Sequence, residues 1–314
     1  MVTIPKEFFR EECRDGFYIS EVMKKSWAVQ LTLLDEILEI ADRHNIRIWL
    51  DCGSLLGAVR HHGYIPWDDD VDTAVMRKDY VPLINYLKEE LPPYRVVSSF
   101  YTNPAHDKPT AVISSRANMD IDNDPYETKL TQLHYGFRCS SWIDIFPLDY
   151  VPSDPERWEM IRNLYFAANE MASDIETCKA SPDFEPTLQQ LEKLTKTKIK
   201  RDENLAHSLW MLSEKLASMT TRKEARYIGW YGGALHTGSK CIRPLSAYSG
   251  TIMADFEIMK APIPTGYDSI LTMLYESEYM TPVRASAGHD YPHFKNQEMR
   301  ILACNKTGQL GDIF

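Results

Sequence analysis

The chain has 314 residues, 44% of them hydrophobic, and a formal net charge of −10. This length and apolar content suffice for one large domain or two closely packed domains. The acidic balance argues against a nucleic-acid partner, because phosphate backbones are bound by an excess of Lys and Arg. The sequence contains no run of about 18 apolar residues, so we expect no transmembrane helix.

The cysteine pattern and the first residues predict a cytoplasmic location. The six cysteines lie far apart and form no Cys-x-x-Cys pair, as is typical of reduced, packed cysteines. The first residues lack a basic region followed by an apolar stretch, so we expect no secretory signal. The positive charges over residues 193–201 predict a solvated helix face, with contact to an acidic membrane surface or a polyanionic acceptor as the alternative. The inner face of the membrane therefore stays open as a location.

The first clear helix is predicted from Lys24, where apolar residues recur every three or four positions. A strand over residues 46–51 follows and leads into a small-residue turn, Gly53-Ser54. A short helix, Leu55 to Arg60, is predicted to start beside that turn with free backbone N–H groups, which suits a phosphate group. A Gly-Ser pair alone is weak evidence, since many tight turns use such pairs for backbone freedom.

Four aspartates follow within a predicted strand over residues 68–75, namely Asp68, Asp69, Asp70 and Asp72. Alternate side chains of a strand share a face, so Asp68, Asp70 and Asp72 are expected to project together. Asp69 is expected on the opposite face. Three carboxylates on one face repel one another unless a cation lies among them. The sequence therefore predicts a divalent-cation site here.

A second acidic feature is Asp144, which interrupts an otherwise apolar strand over residues 142–149. A buried, unpaired carboxylate costs several kcal/mol, so Asp144 is expected to have a partner. Two interpretations stay open. Asp144 either forms a structural hydrogen bond with a nearby Arg, or it is a third metal-facing carboxylate that joins Asp70 and Asp72.

The other elements are read from the same periodicities and from Pro and Gly punctuation. Helices are predicted over residues 81–90, 155–179, 187–222 and 268–279, the last capped by Asp268. Further strands are predicted over residues 94–99, 110–115, 135–138 and 256–258. We therefore expect an α/β (α+β) fold, in which a mixed sheet is flanked by helices and the C-terminal part is mainly helical.

Three motifs resemble the LicD family of phosphotransferases, which includes bacterial phosphocholine transferases and shares its core with the fukutin-related proteins. The longest is Gly-Ser-Leu-Leu-Gly-Ala-Val-Arg-His followed by Gly-Tyr-Ile-Pro-Trp-Asp-Asp-Asp-Val-Asp, within residues 53–72. Residues 142–149 and 264–280 are similar to the family as well. In the last motif Glu276 and Ser277 depart from the usual Tyr-Gly-Asp-Tyr-Met. The helical middle of the chain matches nothing in this resemblance.

The resemblance implies a nucleotidyltransferase-like core with Gly-Ser at a strand-to-helix turn, an Asp-x-Asp pair and a third acid. Asp70 and Asp72 are then shared ligands of Mg²⁺ or Mn²⁺, with Asp68 as an extra ligand. Asp144 is the ligand of a second metal ion, or the base that takes the proton of the acceptor hydroxyl. The implied domains are a catalytic core with the N-terminal helix (residues 1–152) and a helical and mixed region that completes the substrate site (residues 153–314).

The phosphates of the donor are expected at Gly53, Ser54 and the backbone N–H groups near Leu55. Arg60 is either a phosphate clamp, because its guanidinium pairs two oxygens, or a structural ion-pair partner of Asp51 or Asp68. His61 is a weaker candidate for the same site. If the donor is CDP-choline, its trimethylammonium group needs an aromatic lining. The aromatic candidates are Trp67, Trp142, Trp230 and Tyr231.

The leading hypothesis is a metal-dependent transferase that moves phosphocholine from CDP-choline to a hydroxyl of a glycan or lipid-linked glycan. The acceptor would be a lipopolysaccharide or a teichoic-acid-type precursor of the cell wall. One alternative is transfer of another phospho-alcohol, such as phosphoribitol. A second is true nucleotidyl transfer from a nucleoside triphosphate. A third is a non-catalytic binding protein on the same fold.

Overall fold

The computed structural model of the chain describes residues 2–117, 124–284, 291–297 and 299, apart from the side chains of residues 235–237 and 239. The α-helices of this part of the chain are α1 (Glu21–Arg43), α2 (Cys52–Arg60), α3 (Arg77–Glu90), α4 (Glu127–Leu133), α5 (Pro155–Ser173), α6 (Ile175–Lys179), α7 (Phe184–Thr195), α8 (Leu205–Ala217), α9 (Tyr231–Thr237) and α10 (Tyr267–Tyr275).

The strands are β1 (Glu12–Arg14), β2 (Phe17–Ile19), β3 (Ile48–Leu50), β4 (Val71–Met76), β5 (Val96–Ser98), β6 (Ala111–Ser114), β7 (Trp142–Pro152), β8 (Ala225–Gly229), β9 (Ile242–Pro244), β10 (Thr251–Phe256) and β11 (Met259–Pro264). The predicted mixed α/β fold is thus confirmed. Within the described residues, no helix is both long and apolar enough to cross a membrane.

The central sheet has the strand order β3-β4-β7-β6-β5. Strands β4 and β7 are parallel, and the other neighbours along this path are antiparallel. Strand β7 has 11 residues, and its second half pairs with β8, which in turn pairs with β9. Because β4 and β7 run in the same direction, their first residues lie at the same edge of the sheet. Asp72 is there the direct neighbour of Asp144.

Helix α1 packs its apolar stripe on this sheet. Ser20 caps the helix by accepting a hydrogen bond from the backbone N–H of Met23, so the helix begins three residues before the predicted start at Lys24. Trp27, Leu31 and Leu34 are fully buried. Burial of such side chains, at about 1.5–3 kcal/mol each, is what fixes the helix against the strands.

The main core also contains side chains from the last third of the chain, such as Phe256, Ile263 and Ile270. The hairpin β10–β11 and helix α10 therefore pack on the same core as the N-terminal elements. Helices α5, α7 and α8 contribute to a second core, built around Leu209 and Trp210. The division into two domains at residue 152 stays a prediction.

Several predicted elements differ from those in the structure. The predicted strand over residues 135–138 is wrong, because Tyr135 and Gly136 have positive φ and follow helix α4 as a turn. Of the predicted strand over residues 256–258, Phe256 is the last residue of β10, whereas residues 257 and 258 form the turn to β11, where Glu257 has a φ of 54°. The helices predicted over residues 155–179 and 187–222 are each interrupted, giving α5 with α6 and α7 with α8.

Candidate active site

The acidic run forms one side of a pocket of about 630 Å³. Strand β4 begins at Val71, so Asp68 and Asp70 precede the strand that was predicted to contain them. Asp68, Asp70 and Asp72 nevertheless all line the pocket, as the alternation of side chains predicted. Asp69 is fully buried on the other side, where its Oδ2 accepts a 2.6 Å hydrogen bond from the backbone N–H of His293.

Helix α2 supplies the wall beside these acids, and it starts earlier than predicted. Its N-cap is Asp51, so Gly53 and Ser54 lie in the first helical turn and not in a turn before the helix. A Cβ atom on Gly53 would lie 2.6 Å from Oδ2 of Asp68, so any larger residue here would displace that carboxylate. The Ser54 hydroxyl accepts a 2.9 Å hydrogen bond from the backbone N–H of Asp72 and thereby joins the helix to the acidic strand.

These three predicted phosphate-binding residues have different positions. Gly53 lines the pocket. Ser54 is buried and bonded to Asp72, and Leu55 is fully buried in the core. The backbone N–H of Leu55 donates to the carbonyl of Asp51 at 2.9 Å, so it is engaged within the helix. The backbone at Gly53 is therefore the best placed of the three for contact with a ligand.

Arg60 lies at the last turn of α2 and lines the pocket. Its Nη1 donates to the carbonyl oxygen of Tyr279 at 2.7 Å. The alternative ion pair with Asp51 is not formed, because Asp51 pairs with Arg243. His61 lies 3.1 Å from Oδ2 of Asp15, and among the described residues it does not belong to the pocket lining. Burial, and then the Arg60 charge, lower the pKa of His61.

The opposite wall of the pocket comes from the end of α10 and the residues after it. Tyr275, Glu276, Glu278 and Tyr279 are part of this wall. The structure thus brings the third family-like motif against the first, although about 200 residues separate them in the chain. Glu276 has φ 69° and ψ 176°, a backbone conformation that is found almost only for glycine.

Of the four predicted aromatic candidates, Trp67 lines the pocket. The others serve packing. Trp142 lies edge-on to the His293 ring, Trp230 stacks on Phe146, and Tyr231 belongs to a buried cluster beside β7; the ring centroids of the first two pairs are 4.9 Å and 4.2 Å apart. Sequence reasoning did not single out Tyr275 and Tyr279, although both lie in the third motif.

Asp144 is half-buried beside Asp72 on the neighbouring strand. Burial and then the carboxylates of Asp70 and Asp144 raise the pKa of Asp72 well above its usual range. Burial and then the Asp70 carboxylate raise the pKa of Asp68 in the same way. Each acid therefore makes ionisation of its neighbours less favourable.

A buried ion pair behind the pocket was not predicted. Asp51 accepts a 2.7 Å hydrogen bond from Nη1 of Arg243, a residue of β9. The same Nη1 donates to the Tyr248 hydroxyl at 2.6 Å. Both charged side chains are almost fully buried. This pair ties the start of α2 to β9, and no local pattern in the sequence indicates it, because the partners are 192 residues apart.

The donor set suits a hard divalent cation. Carboxylate oxygens are the ligands that Mg²⁺ and Mn²⁺ prefer. A cation near Asp68 and Asp72 would favour their ionised forms and so relieve the repulsion that raises their pKa values. Asp70 shares the pocket and Asp144 adjoins Asp72. Among the residues that the structure describes, no three His, Cys, Asp or Glu side chains converge closely enough to hold an ion as they stand.

Comparison with known proteins agrees with this arrangement. Residues 45–166 match the family described as LicD/FKTN/FKRP, nucleotidyltransferase domain. The lipopolysaccharide cholinephosphotransferase LicD of Haemophilus influenzae is 26% identical over 268 residues, which are 82% of this chain and 91% of that protein.

Two further relatives are similar over short segments. An uncharacterized protein of Rickettsia prowazekii is 42% identical over 57 residues, 18% of this chain and 21% of that protein. The ribitol 5-phosphate transferase FKRP of Homo sapiens is 44% identical over 43 residues, 14% of this chain and 9% of that protein. Together with the family match and the similarity along most of the chain, these findings confirm the resemblance seen in the motifs. Residues 45–166 thus match the nucleotidyltransferase domain of the LicD/FKTN/FKRP family, and the chain is similar to a LicD cholinephosphotransferase along most of its length.

Proposed function

We propose that the protein transfers phosphocholine from CDP-choline to a hydroxyl of a cell-surface glycan, with Mg²⁺ or Mn²⁺ as its cofactor. The main observation behind the proposal is that three aspartates and two tyrosines line opposite sides of the same pocket. Similarity to a lipopolysaccharide cholinephosphotransferase along 82% of the chain supports the choice of alcohol and acceptor. The proposed location is the cytoplasm, with contact at the inner membrane face if the acceptor is lipid-linked.

The reaction is the displacement of CMP by the acceptor. The acceptor hydroxyl oxygen forms a bond to the phosphorus that carries choline, and the bond from that phosphorus to the CMP oxygen breaks. Bound divalent ions would neutralise the charge of the phosphate oxygens and of the leaving group. In this assignment Asp70 and Asp72 would hold the ion that they share, with Asp68 as an additional ligand. Asp144 would hold a second ion or take the proton of the acceptor hydroxyl.

The walls of the pocket provide the remaining contacts. The backbone at Gly53 approaches the phosphates, since no side chain stands between it and the pocket. Arg60 is held at the rim by its hydrogen bond to the Tyr279 carbonyl, and its other guanidinium N–H groups are candidates for the phosphate oxygens. Trp67, Tyr275 and Tyr279 offer ring faces of the kind that attract a quaternary ammonium group.

A transfer assay with defined products tests the proposal. Purified protein is incubated with CDP-choline, Mg²⁺ and lipopolysaccharide from a strain unable to add phosphocholine, and the products are analysed by mass spectrometry. We expect CMP and a glycan heavier by one phosphocholine group. The matched control is Asp79→Asn, which changes an aspartate of α3 outside the pocket lining and should leave the rate unchanged.

The same assay separates the alternatives. With CDP-ribitol in place of CDP-choline, a faster reaction would assign the protein to phosphoribitol transfer, which the short similarity to a ribitol 5-phosphate transferase favours. A glycan that carries a nucleotide after incubation with nucleoside triphosphates would identify nucleotidyl transfer. Binding of CDP-choline in calorimetry without release of CMP would identify a binding protein and refute the proposed activity.

A further inference from the structure

The acidic run is preceded by a tight corner, residues 61–68, which we call the 61–68 corner. Its position is fixed by contacts with elements far away in the chain. Tyr64 stacks on Trp27 of α1, with ring centroids 4.5 Å apart and an angle of 2° between the ring planes. The indole N–H of the same Trp27 donates to the carbonyl of Asp68 at 3.1 Å. A shift of Tyr64 is therefore transmitted to the backbone that carries the first pocket acid.

Glu257 is the residue that holds Tyr64 from the other side. Its Oε1 accepts a 3.1 Å hydrogen bond from the backbone N–H of Tyr64. Its own backbone N–H donates to the carbonyl of His62 at 2.8 Å. A Cβ atom on Gly63 would lie 2.3 Å from Oε1 of Glu257, so the carboxylate also fills the space directly against the 61–68 corner.

The carboxylate of Glu257 is itself fixed by Arg14 of β1. The guanidinium donates two hydrogen bonds, from Nη1 to Oε1 at 2.5 Å and from Nη2 to Oε2 at 2.9 Å. The side chain of Glu257 is only 5% exposed. A bidentate pair of this kind restricts the carboxylate in both position and orientation. The β1–β2 hairpin, the β10–β11 turn and the 61–68 corner are thus joined at one carboxylate.

We propose that Glu257 is a positioning residue of the active site, which holds the 61–68 corner so that Asp68 and Asp70 keep their places in the pocket. This inference rests on the proposed function. Glu257 does not line the pocket among the described residues, so it acts through Tyr64 and the backbone and not on the substrate. A misplacement of about 1 Å at reacting groups costs about a hundredfold in rate.

The chain provides a matched control in a second buried pair. Glu36 of α1 accepts two hydrogen bonds from Arg95, both 2.9 Å long, and the Glu36 side chain is 10% exposed. Among the described residues, neither partner forms a hydrogen bond to the 61–68 corner or lines the pocket. Glu36→Ala therefore removes a comparable ion pair without touching the corner.

The test uses the full chain and compares Glu257→Ala, Glu257→Gln and Glu36→Ala. Hydrogen exchange of the backbone amides over residues 61–70 is measured by mass spectrometry, together with kcat and KM for CDP-choline. We expect Glu257→Ala to speed exchange over 61–70 about tenfold and to lower kcat about 10- to 100-fold, with KM changed less than threefold. The KM should change less than kcat because Tyr275 and Tyr279 of the aromatic lining lie outside the corner, although Trp67 belongs to it.

The amide oxygen of Gln still accepts from Tyr64, so Glu257→Gln should lie between the wild type and Glu257→Ala in both measurements. Glu36→Ala should leave exchange over 61–70 and kcat within twofold of the wild type. If Glu257→Ala fails to fold, Gly63→Ala replaces it, since the added methyl group displaces the same carboxylate.

If Glu257→Ala leaves the hydrogen exchange of residues 61–70 unchanged, the inference is overturned. Equal acceleration in Glu36→Ala, or an unchanged kcat despite faster exchange, would overturn it as well. The two proposals fail separately. If the wild type transfers nothing from CDP-choline, the proposed function is refuted, and the selective change in exchange still decides whether Glu257 holds the corner.

Discussion

The two ends of the parallel strands β4 and β7 treat buried charge in opposite ways. At the first end Asp72 and Asp144 are neighbours, and the carboxylates of Asp70 and Asp144 add to burial in raising the pKa of Asp72. At the other end Asp149 is fully buried, but Arg77 opposes the effect of burial on its pKa. The same pair of strands thus carries like charges at one edge and opposite charges at the other.

This difference in charge pairing indicates that the two ends have different roles, one structural and one in ligand binding. Arg77 donates to both oxygens of Asp149 at 2.8 Å and 2.7 Å, and it also pairs with Glu214 of α8. This end holds the helical region against the sheet. The acidic end loses stability through repulsion, and a protein retains such an arrangement where a ligand needs it.

The largest expected effect comes from Asp72→Asn at the acidic end. The substitution removes one shared metal ligand, and we expect transfer from CDP-choline to fall about a thousandfold or more. Because a buried like charge is lost, the melting temperature of the metal-free protein should rise. Both quantities are measured on the same preparation, by the transfer assay and by calorimetry. A lower melting temperature would show that repulsion does not dominate at this end.

At the end where Arg77 pairs with Asp149, Arg77→Met should lower the stability of the protein, the reverse of the effect expected for Asp72→Asn. It leaves Asp149 and Glu214 buried without their cation, which costs about 3–5 kcal/mol of unfolding free energy. Urea unfolding measures the loss. The matched control is Arg157→Met, whose pair with Glu224 is more exposed and should contribute about 1 kcal/mol or less. Equal losses in the two variants would contradict the distinction between the ends.

A third buried cluster contains His134 beside Arg95 and Arg116. It tests whether keeping a buried side chain uncharged contributes as much to stability as pairing opposite charges does. His134 lies 3.0 Å from Nη1 of Arg95, and burial followed by the charges of Arg95 and Arg116 lowers its pKa to about 3. The unfolded chain binds a proton near pH 6.5 and the folded chain does not, so stability falls as pH drops from 6.5 towards 3.

Between pH 6.5 and pH 5 this residue should account for a loss of about 1.5 kcal/mol of unfolding free energy. His134→Gln keeps an acceptor for Arg95 and removes the titration. The difference between the wild type and this variant in urea unfolding at the two pH values isolates the effect. An identical pH dependence in both proteins would show that His134 takes up its proton in the folded state.

The smallest effect concerns the wall opposite the acids. Glu276 has a backbone conformation that suits glycine, so Glu276→Gly should raise the unfolding free energy by about 1 kcal/mol. Glu278→Gly is the control, because its φ is not positive and glycine there only adds freedom to the unfolded chain. Thermal unfolding of the two variants compares them directly. A loss of stability in Glu276→Gly would mean that the glutamate side chain, which lies 3.6 Å from Lys240, outweighs the strain.

Local patterns in the sequence were sufficient to predict several helices and strands and the acids that line the pocket. The spacing of apolar residues predicted α1 and the buried stripe of α8, and the alternation of aspartates predicted which of them share the pocket. The apolar run from Trp142 predicted β7. Each of these depends on neighbours in the chain, which is why periodicity reveals them.

The contacts that shape the site depend on partners far apart in the chain. Arg243 reaches Asp51 across 192 residues, and Arg14 reaches Glu257 across 243. Glu257 was predicted in a strand, because Phe256 and Ile258 on either side are apolar. Its positive φ is imposed by the hairpin and by the bond to His62, and neither constraint is visible in local spacing. The glycine-like backbone of Glu276 escaped prediction for the same reason.

The hydrogen bond from Arg60 to the Tyr279 carbonyl crosses the border of the segment that matches the family. A fragment ending near residue 166 would contain the acids and α2 but would lack residues 275–279. Its acids would then be exposed to solvent on that side, because one wall of the pocket would be missing. The matching segment alone therefore does not form the complete pocket. A protein with the same residues 45–166 but a different sequence around 275–279 would keep the acids and would have a differently shaped pocket in front of them.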